Sequence, residues 1–351
     1  TGIDFVNELE YDEEFNVYTY RNFYNGGGVG IGDINNDGLP DLFFCGNMTS
    51  NRLYLNKGNF QFEDITDRAG AAAEGVWTSG VSFADVNGDG LLDIYLCKSG
   101  SPGGENRHNE LFINNGDLTF TEQAEAYGIA DLGLSTHAAF FDYDKDGDLD
   151  CYLLNNSIRP VGGYDLREGQ REAPDPQGGN KLYRLDGDRY TDVSREAGIY
   201  SSAIGFGLGV TIGDVNRDGW LDIYVSNDFF EKDYLYINNQ DGTFTESLEQ
   251  YIREISLSSM GADMADLNND GYPEIFVTDI LPERDARMKT KTMIENWDKH
   301  QLNVRQGYHR QYTRNVLQVN NGDSTFSEIS RFAGVYGTDW SWGALMFHFE
   351  N

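Results

Sequence analysis

Basic residues are scarce in this chain. Its 26 Lys and Arg stand against 58 Asp and Glu, which gives a formal net charge of −32 at pH 7. Proteins bind nucleic acids through a basic surface that faces the phosphates, so this acidic excess argues against a nucleic-acid partner. The sequence also has no apolar run long enough to form a transmembrane helix.

Cysteine and proline are rare as well. The cysteines are Cys45, Cys97 and Cys151, and the first two occupy equivalent positions in successive repeats, which places them too far apart to form a disulfide. We predict buried free thiols and no disulfide framework that would indicate a compartment. Proline numbers only 7, whereas glycine numbers 41 and Tyr and Phe number 21 each. This balance is typical of strands and turns.

Common signatures of catalysis are missing. The sequence has no His-Glu-x-x-His pair, no Gly-x-Ser-x-Gly turn, no phosphate-binding loop and no Cys/His zinc spacing. The glycines at 26–30 lead into a predicted strand rather than a helix, which argues against a dinucleotide site. We therefore predict that the protein is not an enzyme and that its histidines have surface or capping roles. These histidines are His108, His137, His300, His309 and His348.

A nine-residue acidic loop is abundant instead. It follows the pattern D-x-D/N-x-D-G-x-x-D/E and occurs at residues 33–41, 85–93, 142–150, 214–222 and 266–274. Calcium takes six to eight oxygen ligands, and the glycine at position 6 permits the sharp turn that closes such a loop. We predict about five calcium sites, each with a backbone carbonyl from position 7. The predicted side-chain ligands at positions 1, 3, 5 and 9 are Asp33, Asn35, Asp37, Asp41, Asp85, Asn87, Asp89, Asp93, Asp142, Asp144, Asp146, Asp150, Asp214, Asn216, Asp218, Asp222, Asp266, Asn268, Asp270 and Glu274.

An EF-hand shares the first six positions of this pattern, but it requires a bidentate Glu at position 12. That position is apolar in every copy, and the residues around it form short β-rich runs rather than a helix. Each loop is therefore predicted to join two strands. The remaining alternative is a turn of Asp, Asn and Gly without metal. Five copies in register, each with the acid at position 9, favour metal.

The loops belong to a larger repeat. A glycine-rich apolar strand precedes each loop, and a hairpin follows it, at residues 51–66, 109–124, 180–194, 233–247 and 315–330. Loop-to-loop spacings are 52, 57, 72 and 52 residues. Four strands at this period predict the blades of an all-β β-propeller. A β-sandwich does not explain why the same four-strand unit occurs five times.

The connections between the second and third strands are long in three repeats, at residues 98–108, 158–179 and 279–314. The last carries a predicted helix around residues 288–302, and its residues 284–314 contain eight Lys and Arg against three acids. Because the strands alternate in direction, these insertions lie on the face opposite the metal loops. Variable loops on a rigid scaffold commonly bind partners. The basic insertion either docks an acidic partner or folds back on the protein itself.

Both ends of the chain contain partial repeats. Residues 1–3 match the Gly-containing segments that follow the last strand of other repeats, and residues 340–347 are predicted to form the first strand of a sixth repeat. His348 then occupies the place of the first loop Asp. We therefore interpret the chain, residues 1–351, as a partial propeller from a longer protein.

These blades resemble the FG-GAP (VCBS-type) repeats of the integrin α-subunit propeller. The runs FYNGGGVGIGDINNDGLPDLFF, NRLYLNKG and FEDITDRAG are more similar still to bacterial surface proteins of the ASPIC/UnbV, cartilage acidic protein-like type. The resemblance implies a seven-bladed propeller, calcium in the loops, an extracellular setting and a binding role. Glu274 departs from the pattern but retains a carboxylate, whereas His348 makes a calcium site in the sixth loop doubtful.

Three functions remain open at this stage. The first is a non-catalytic, calcium-binding module, outside the cell or on its surface, that binds a protein or glycan on the insertion face. The second is a structural subunit of an outer-membrane or secretion assembly, docked through the basic insertion and associated with a bacterial outer membrane. The third is a propeller-scaffold polysaccharide lyase or glycosidase. Aromatic residues near the first strands, which either pack between blades or stack on a ligand, are Tyr18, Tyr20, Tyr24, Trp77, Trp340 and Trp342.

Overall fold

The chain is described by a computed structural model that covers residues 1–73, 77–100, 107–158, 169–171, 173–291 and 296–347. In these residues the fold is all-β, with five four-stranded antiparallel sheets. In each sheet the four strands pair in chain order, and each sheet coincides with one predicted repeat. The acidic loop joins its first and second strands, as the sequence predicts, and no helix follows any loop.

Three sheets belong to one compact unit of the chain. The first sheet contains β1 (Val29–Gly32), β2 (Asp41–Phe44), β3 (Arg52–Asn56) and β4 (Phe62–Asp64). The second contains β5 (Thr78–Ala84), β6 (Asp93–Lys98), β7 (Glu110–Asn114) and β8 (Phe120–Glu122). The third contains β9 (Leu134–Phe141), β10 (Asp150–Asn156), β11 (Lys181–Asp186) and β12 (Arg189–Asp192).

Two sheets belong to a second compact unit. The fourth sheet contains β13 (Gly207–Gly213), β14 (Asp222–Asn227), β15 (Tyr234–Asn238) and β16 (Phe244–Glu246). The fifth contains β18 (Ala262–Ala265), β19 (Glu274–Val277), β21 (Val316–Asn320) and β22 (Phe326–Glu328). A separate two-stranded parallel ladder pairs β17 (Ile255–Ser256) with β20 (Gln311–Tyr312).

Helices are short in the part of the chain that the structure describes. Four single-turn helices follow the last strand of a sheet: α1 (Thr66–Ala69), α2 (Ala124–Tyr127), α3 (Leu248–Tyr251) and α6 (Ser330–Ala333). The insertion of the fifth repeat forms α4 (Asp285–Lys291) and α5 (Trp297–Arg305) instead of the one predicted helix. A 3-10 helix covers Arg21–Tyr24. Among the described residues no helix has the length and apolarity needed to cross a membrane.

Burial is greatest on the second strand of the second, third and fourth repeats. Every residue of β6, β10 and β14 is buried, because these strands lie inside their sheets and carry apolar side chains on both faces. In the first unit Tyr95, Leu111 and Leu153 belong to one core cluster that extends over the second and third sheets. Each such side chain contributes about 1.5–3 kcal/mol when fully buried. The three cysteines are buried free thiols, as predicted.

Small residues allow the first strands of neighbouring sheets to approach closely within each unit. A Cβ atom on Gly80 would lie 2.2 Å from the carbonyl oxygen of Thr136, and one on Gly209 would lie 2.9 Å from that of Met260. The Ser82 hydroxyl donates to the Ala138 carbonyl at 2.6 Å, which links β5 to β9. The close approach of neighbouring first strands thus explains why these strands are rich in glycine.

The predicted first strand of a sixth repeat is not formed as a strand. Residues 341–347 have no strand assignment, although they lie beside β18. A Cβ atom on Gly261 would lie 2.5 Å from the Trp342 carbonyl oxygen, and the Met346 amide donates to Asp263 at 2.5 Å. These residues run alongside β18 but do not form the ladder of backbone hydrogen bonds that defines a strand. His348 lies outside the described residues.

Candidate metal centre

The acid at position 9 is the first residue of the second strand in all five repeats, and it is at most 1% exposed in each. In the first repeat Asp41 accepts the Ile34 amide at 3.0 Å and the Asn56 amide at 2.7 Å. Its carboxylate therefore bridges the acidic loop and the third strand. The same pair of bonds is made by Asp93, Asp150 and Asp222.

Burial raises the pKa of these carboxyl groups, and the neighbouring acids of the same loop add to the effect. The pKa of Asp93 rises to about 6 and those of Asp150 and Asp222 to about 7. The pKa of Glu274 is also raised, with burial as the first cause. Each loop thus concentrates acidic groups at a place where negative charge is costly, and a cation offsets that cost.

The backbone of the loop curls around its first aspartate. Asp33 accepts the Asp37 amide at 3.1 Å and the Gly38 amide at 2.7 Å. The curl requires a left-handed backbone twice, with φ of 56° at Asn36 and 85° at Gly38. Positive φ recurs at position 6 of every copy, where glycine adopts it without strain. The invariant spacing of the motif therefore has a conformational cause.

The side chains at positions 3 and 5 lie within hydrogen-bonding distance of each other in the first and fourth loops. In the first loop the Asn35 amide donates to the Asp37 carboxylate at 3.1 Å, and in the fourth Asn216 donates to Asp218 at 2.9 Å. The position-5 carboxylate also accepts the position-7 amide, at 2.9 Å in the first loop. In the four loops with Asn at position 3, the side-chain oxygens at positions 3 and 5 accept hydrogen bonds from backbone amides of their own loop.

The third loop, residues 142–150, is different because it is acidic at position 3 and also at position 7. Asp142, Asp144 and Asp146 offer carboxylate oxygens that all lie within 4.8 Å of one another. One oxygen each of Asp142, Asp144 and Asp148 is buried without a hydrogen-bond partner. Burial and the neighbouring acids raise the pKa of Asp148 to about 6. A set of unpaired carboxylate oxygens on a flexible loop fits a hard divalent cation.

Asp148 is a candidate ligand that the repeat pattern alone did not select. The pattern leaves position 7 unspecified and assigns only its backbone carbonyl, whereas the extra acid is visible in the run DYDKDGDLD. Its Oδ1 atom is buried without a hydrogen-bond partner, as are the Oδ1 atoms of Asp142 and Asp144. A search for acids unique to one copy of the loop would have found it.

A second repeated polar residue was also missed. The residue before the third strand accepts the amide at or just after the end of the second strand, for example Asn51 from Gly46 and Asn109 from Lys98, both at 2.8 Å. Asp233 and Asn315 make the same bond in the fourth and fifth repeats. The acidic loop and this cap therefore lie at opposite ends of the same strand. The Asn or Asp that opens each hairpin sequence was the available signal.

The described histidines do not assemble into a site. His309 is 2.9 Å from the Ile252 carbonyl oxygen, and burial lowers its pKa. The His300 ring lies 5.4 Å from that of Trp297 and 5.2 Å from that of Tyr312. His137 is half-buried on β9. Among the described residues, Asp142, Asp144 and Asp146 form the one group of three or more His, Cys, Asp or Glu with metal-binding geometry.

The aromatic residues separate into packed and exposed groups. Tyr20 and Trp77 are 2% and 3% exposed, and their rings meet edge to face at 5.0 Å within one cluster of the first unit. Packing within the protein therefore accounts for the positions of Tyr20 and Trp77. The remaining four predicted aromatics are exposed: Tyr18, Tyr24, Trp340 and Trp342.

The basic insertion folds back on its own unit over part of its length. The Arg171 guanidinium lies 4.9 Å from the Tyr308 ring centre, and Tyr308 is only 2% exposed. Gln311 donates to the Phe230 carbonyl at 3.1 Å. The helices remain open to solvent, with Trp297 68% and Leu302 46% exposed. Part of the insertion thus folds back on the chain, whereas docking of a partner through the exposed helices stays a prediction.

Five sheets with one acidic loop each define a repeat protein of the FG-GAP type. The FG-GAP-like repeat model matches residues 33–96, 100–153 and 214–277, which is more than half of the chain. The chain belongs to this family, as the sequence resemblance indicated.

Relatives of this chain include both proteins that the resemblance suggested. Cartilage acidic protein 1 of Xenopus tropicalis is 30% identical over 211 residues, which cover 59% of this chain and 29% of that protein. Integrin alpha-3 of Mus musculus is 26% identical over 203 residues, which cover 53% of this chain and 19% of that protein. The chain therefore spans less than a third of the length of these relatives. An Agrocybe aegerita lectin that recognises non-reducing terminal N-acetylglucosamine aligns at 17% identity with a TM-score of 0.43, over 85% of this chain and 64% of the lectin.

Proposed function

We propose that this chain is part of a calcium-stabilised, non-catalytic binding module that acts outside the cell or at its surface. The observation that carries the proposal is the set of unpaired, converging carboxylate oxygens in the third loop. Membership of the FG-GAP-like family and the similarity to integrin alpha-3 support the extracellular binding role. The proposed architecture is a seven-bladed propeller that this chain forms in part. Association with a bacterial outer membrane stays a prediction.

Calcium supplies a positive charge that neutralises the crowded acids of each loop. In the third loop Asp142, Asp144, Asp146 and Asp148 would hold it, because their oxygens are close together or unpaired. The other four loops offer three acids and one Asn each, so we expect them to bind more weakly. Extracellular calcium modules bind with dissociation constants of roughly 10⁻⁴ to 10⁻³ M.

Terbium luminescence tests the metal site directly, because Tyr143 lies inside the third loop and can transfer energy to a lanthanide. Calcium should displace terbium, and Asp144→Asn should weaken the tightest class of sites while leaving the others occupied. Glu13→Gln, which removes an exposed acid far from the loops in sequence, is the matched control. Elemental analysis that finds no bound calcium in the parent protein after equilibration in millimolar calcium would refute the proposal.

The interaction face is proposed to be the exposed part of the basic insertion. Trp297 and Leu302 are solvent-exposed on a helix that also carries Lys299 and Arg305, and aromatic and basic residues are enriched in interfaces. Trp297→Ala with Leu302→Ser should reduce partner recovery from native membranes. Phe332→Ser removes a side chain that is 93% exposed elsewhere and serves as the control. If both variants recover the same amount of partner, the insertion helices are not part of the interface.

A further inference from the structure

The outer edge of the fifth sheet differs from the other edges. Helices α1, α2 and α6 end in a left-handed glycine, whereas α3 ends at Ile252 with an extended φ of −119°. In other repeats the Gly-containing segment contacts the fourth strand of the next sheet. The Phe62 amide donates to Thr1 and the Phe244 amide to Ala197, both at 2.8 Å.

In the fifth sheet the corresponding aromatic is Phe326, and no glycine directly follows α3 to contact it. The connection continues through Ile252 into Arg253 and Glu254 instead. This change leaves a groove of about 500 Å³ along β22. That volume lies within the range of small-molecule and oligosaccharide sites.

Two arginines line this groove without a partner. Arg253 and Arg310 are exposed, and their guanidinium groups make no hydrogen bond or ion pair with the described residues. The parallel ladder of β17 and β20 holds them near each other, because the Ile255 amide donates to the Arg310 carbonyl at 3.0 Å. The ladder therefore fixes the backbone segments that carry the two arginines.

The two acids of the groove are paired with an arginine that lies outside its lining. Arg314 is mostly buried and donates to both Glu254 and Glu328 at 2.8 Å. The lining itself carries Arg253 and Arg310 against Glu254 and Glu328, and both carboxylates share Arg314 from outside the lining. The two carboxylates are already engaged, so a further anion meets two free cationic groups.

The rest of the lining is polar and short-chained. Asn321, Thr325 and Ser327 supply amide and hydroxyl groups, and Phe326 supplies an apolar surface. Arginine binds carboxylates through paired N–H donors, and small polar side chains suit sugar hydroxyls. With only three residues, β22 is too short to pair with an extended peptide over any length.

We propose that this groove binds an acidic saccharide, with Arg253 and Arg310 contacting a uronate carboxylate. The site lies along the outer strand of the fifth sheet, where none of the acidic loops contributes a residue. It can therefore be tested separately from the calcium sites and from the exposed insertion helices.

The test is calorimetric titration of the full chain, in constant free calcium, with a tetrasaccharide of alternating glucuronate and N-acetylglucosamine. Its carboxyl-methyl ester is a neutral control of equal size, and tri-glutamate represents an acidic protein ligand. Arg253→Gln and Arg310→Gln should each weaken binding roughly tenfold, since each removes a charge-assisted hydrogen bond. Arg195→Gln, an exposed arginine outside the groove, should bind as the parent does.

We expect binding of the acid to weaken as salt is raised and the ester to bind at least about tenfold more weakly. Failure of the parent to bind the tetrasaccharide would overturn the proposal. Unchanged binding by a variant that combines Arg253→Gln and Arg310→Gln, with a melting temperature equal to that of the parent, would also overturn it. Tri-glutamate binding as tightly as the saccharide would show that the ligand class is wrong.

Discussion

A buried network that occurs twice in the chain supports a quantitative prediction about pH. In the second repeat, Asn109 donates to the Tyr95 hydroxyl at 3.0 Å and the Ser135 hydroxyl at 2.9 Å. In the fourth repeat Asp233 occupies the equivalent place and accepts from Tyr224 at 2.6 Å and Ser259 at 3.0 Å. Hydroxyls serve as donors or acceptors, so the surroundings suit either residue.

Burial raises the pKa of Asp233 from 3.8 to about 7, against hydrogen bonds that lower it. The folded state therefore favours the protonated acid. The resulting stability is fully present below pH 3.8, declines as the pH rises, and is lost above about pH 7. About three pH units at roughly 1.4 kcal/mol each give an upper limit of about 4 kcal/mol.

Asp233→Asn replaces this acid with a neutral side chain of the same shape. We expect little difference from the parent near pH 4, and a gain of about 2–4 kcal/mol near pH 8. For a protein of this size that gain corresponds to a rise in melting temperature of roughly 5 °C. Thermal unfolding from pH 4 to pH 8.5 in saturating calcium measures the difference, because effects of the metal loops are common to both proteins.

The reverse exchange at the equivalent site is the matched control. Asn109→Asp should introduce the same pH dependence with the opposite sign relative to the parent, because it places a titratable acid in a buried hydroxyl network. Parallel melting curves for Asp233→Asn and the parent across this range would refute the reasoning. A pH-dependent gain without the reciprocal loss in Asn109→Asp would show that the two networks are not equivalent.

Further outcomes follow from the loops, the first strands and the buried ion pairs. Chelation should lower the melting temperature, and Asp144→Asn should lower it by less, because it affects one loop of five; identical curves with and without chelator would contradict this. Gly80→Ala should cost about 2 kcal/mol or more in denaturant unfolding, since its Cβ would lie 2.2 Å from the Thr136 oxygen. Arg314→Leu should cost about 3–5 kcal/mol by the same measurement, because it leaves Glu254 and Glu328 without their shared partner; a loss below about 1 kcal/mol would contradict that role.

Local patterns predicted the repeated unit well. Strand alternation, hairpin turns and the spacing of the acidic loops depend on residues close in sequence, so each of the five sheets was readable from its own segment. The loop geometry followed for the same reason, since the left-handed glycine at position 6 is fixed by the loop itself. The family resemblance rested on these same segments.

Contacts between distant segments were not predictable in this way. The bridge from Asp41 to the Asn56 amide connects the start of the second strand to the end of the third, and composition does not reveal it. The insertion was predicted to carry one helix around residues 288–302, whereas the structure has two. Its contact with Arg171 depends on packing between segments far apart in the sequence.

The parallel ladder of β17 and β20 has a consequence for the rate of folding. The four-stranded sheets pair their strands in chain order, even where the fifth sheet pairs β19 with β21 across β20. The parallel ladder instead joins Ile255 to Gln311, about 55 residues later. Closing so long a loop costs about 1.5 kcal/mol more conformational entropy than closing one of about ten residues. Contacts between distant residues slow folding. The fifth repeat is therefore expected to fold last. Pairing of β20, which lies in the insertion, with β17 is expected to limit the rate of refolding.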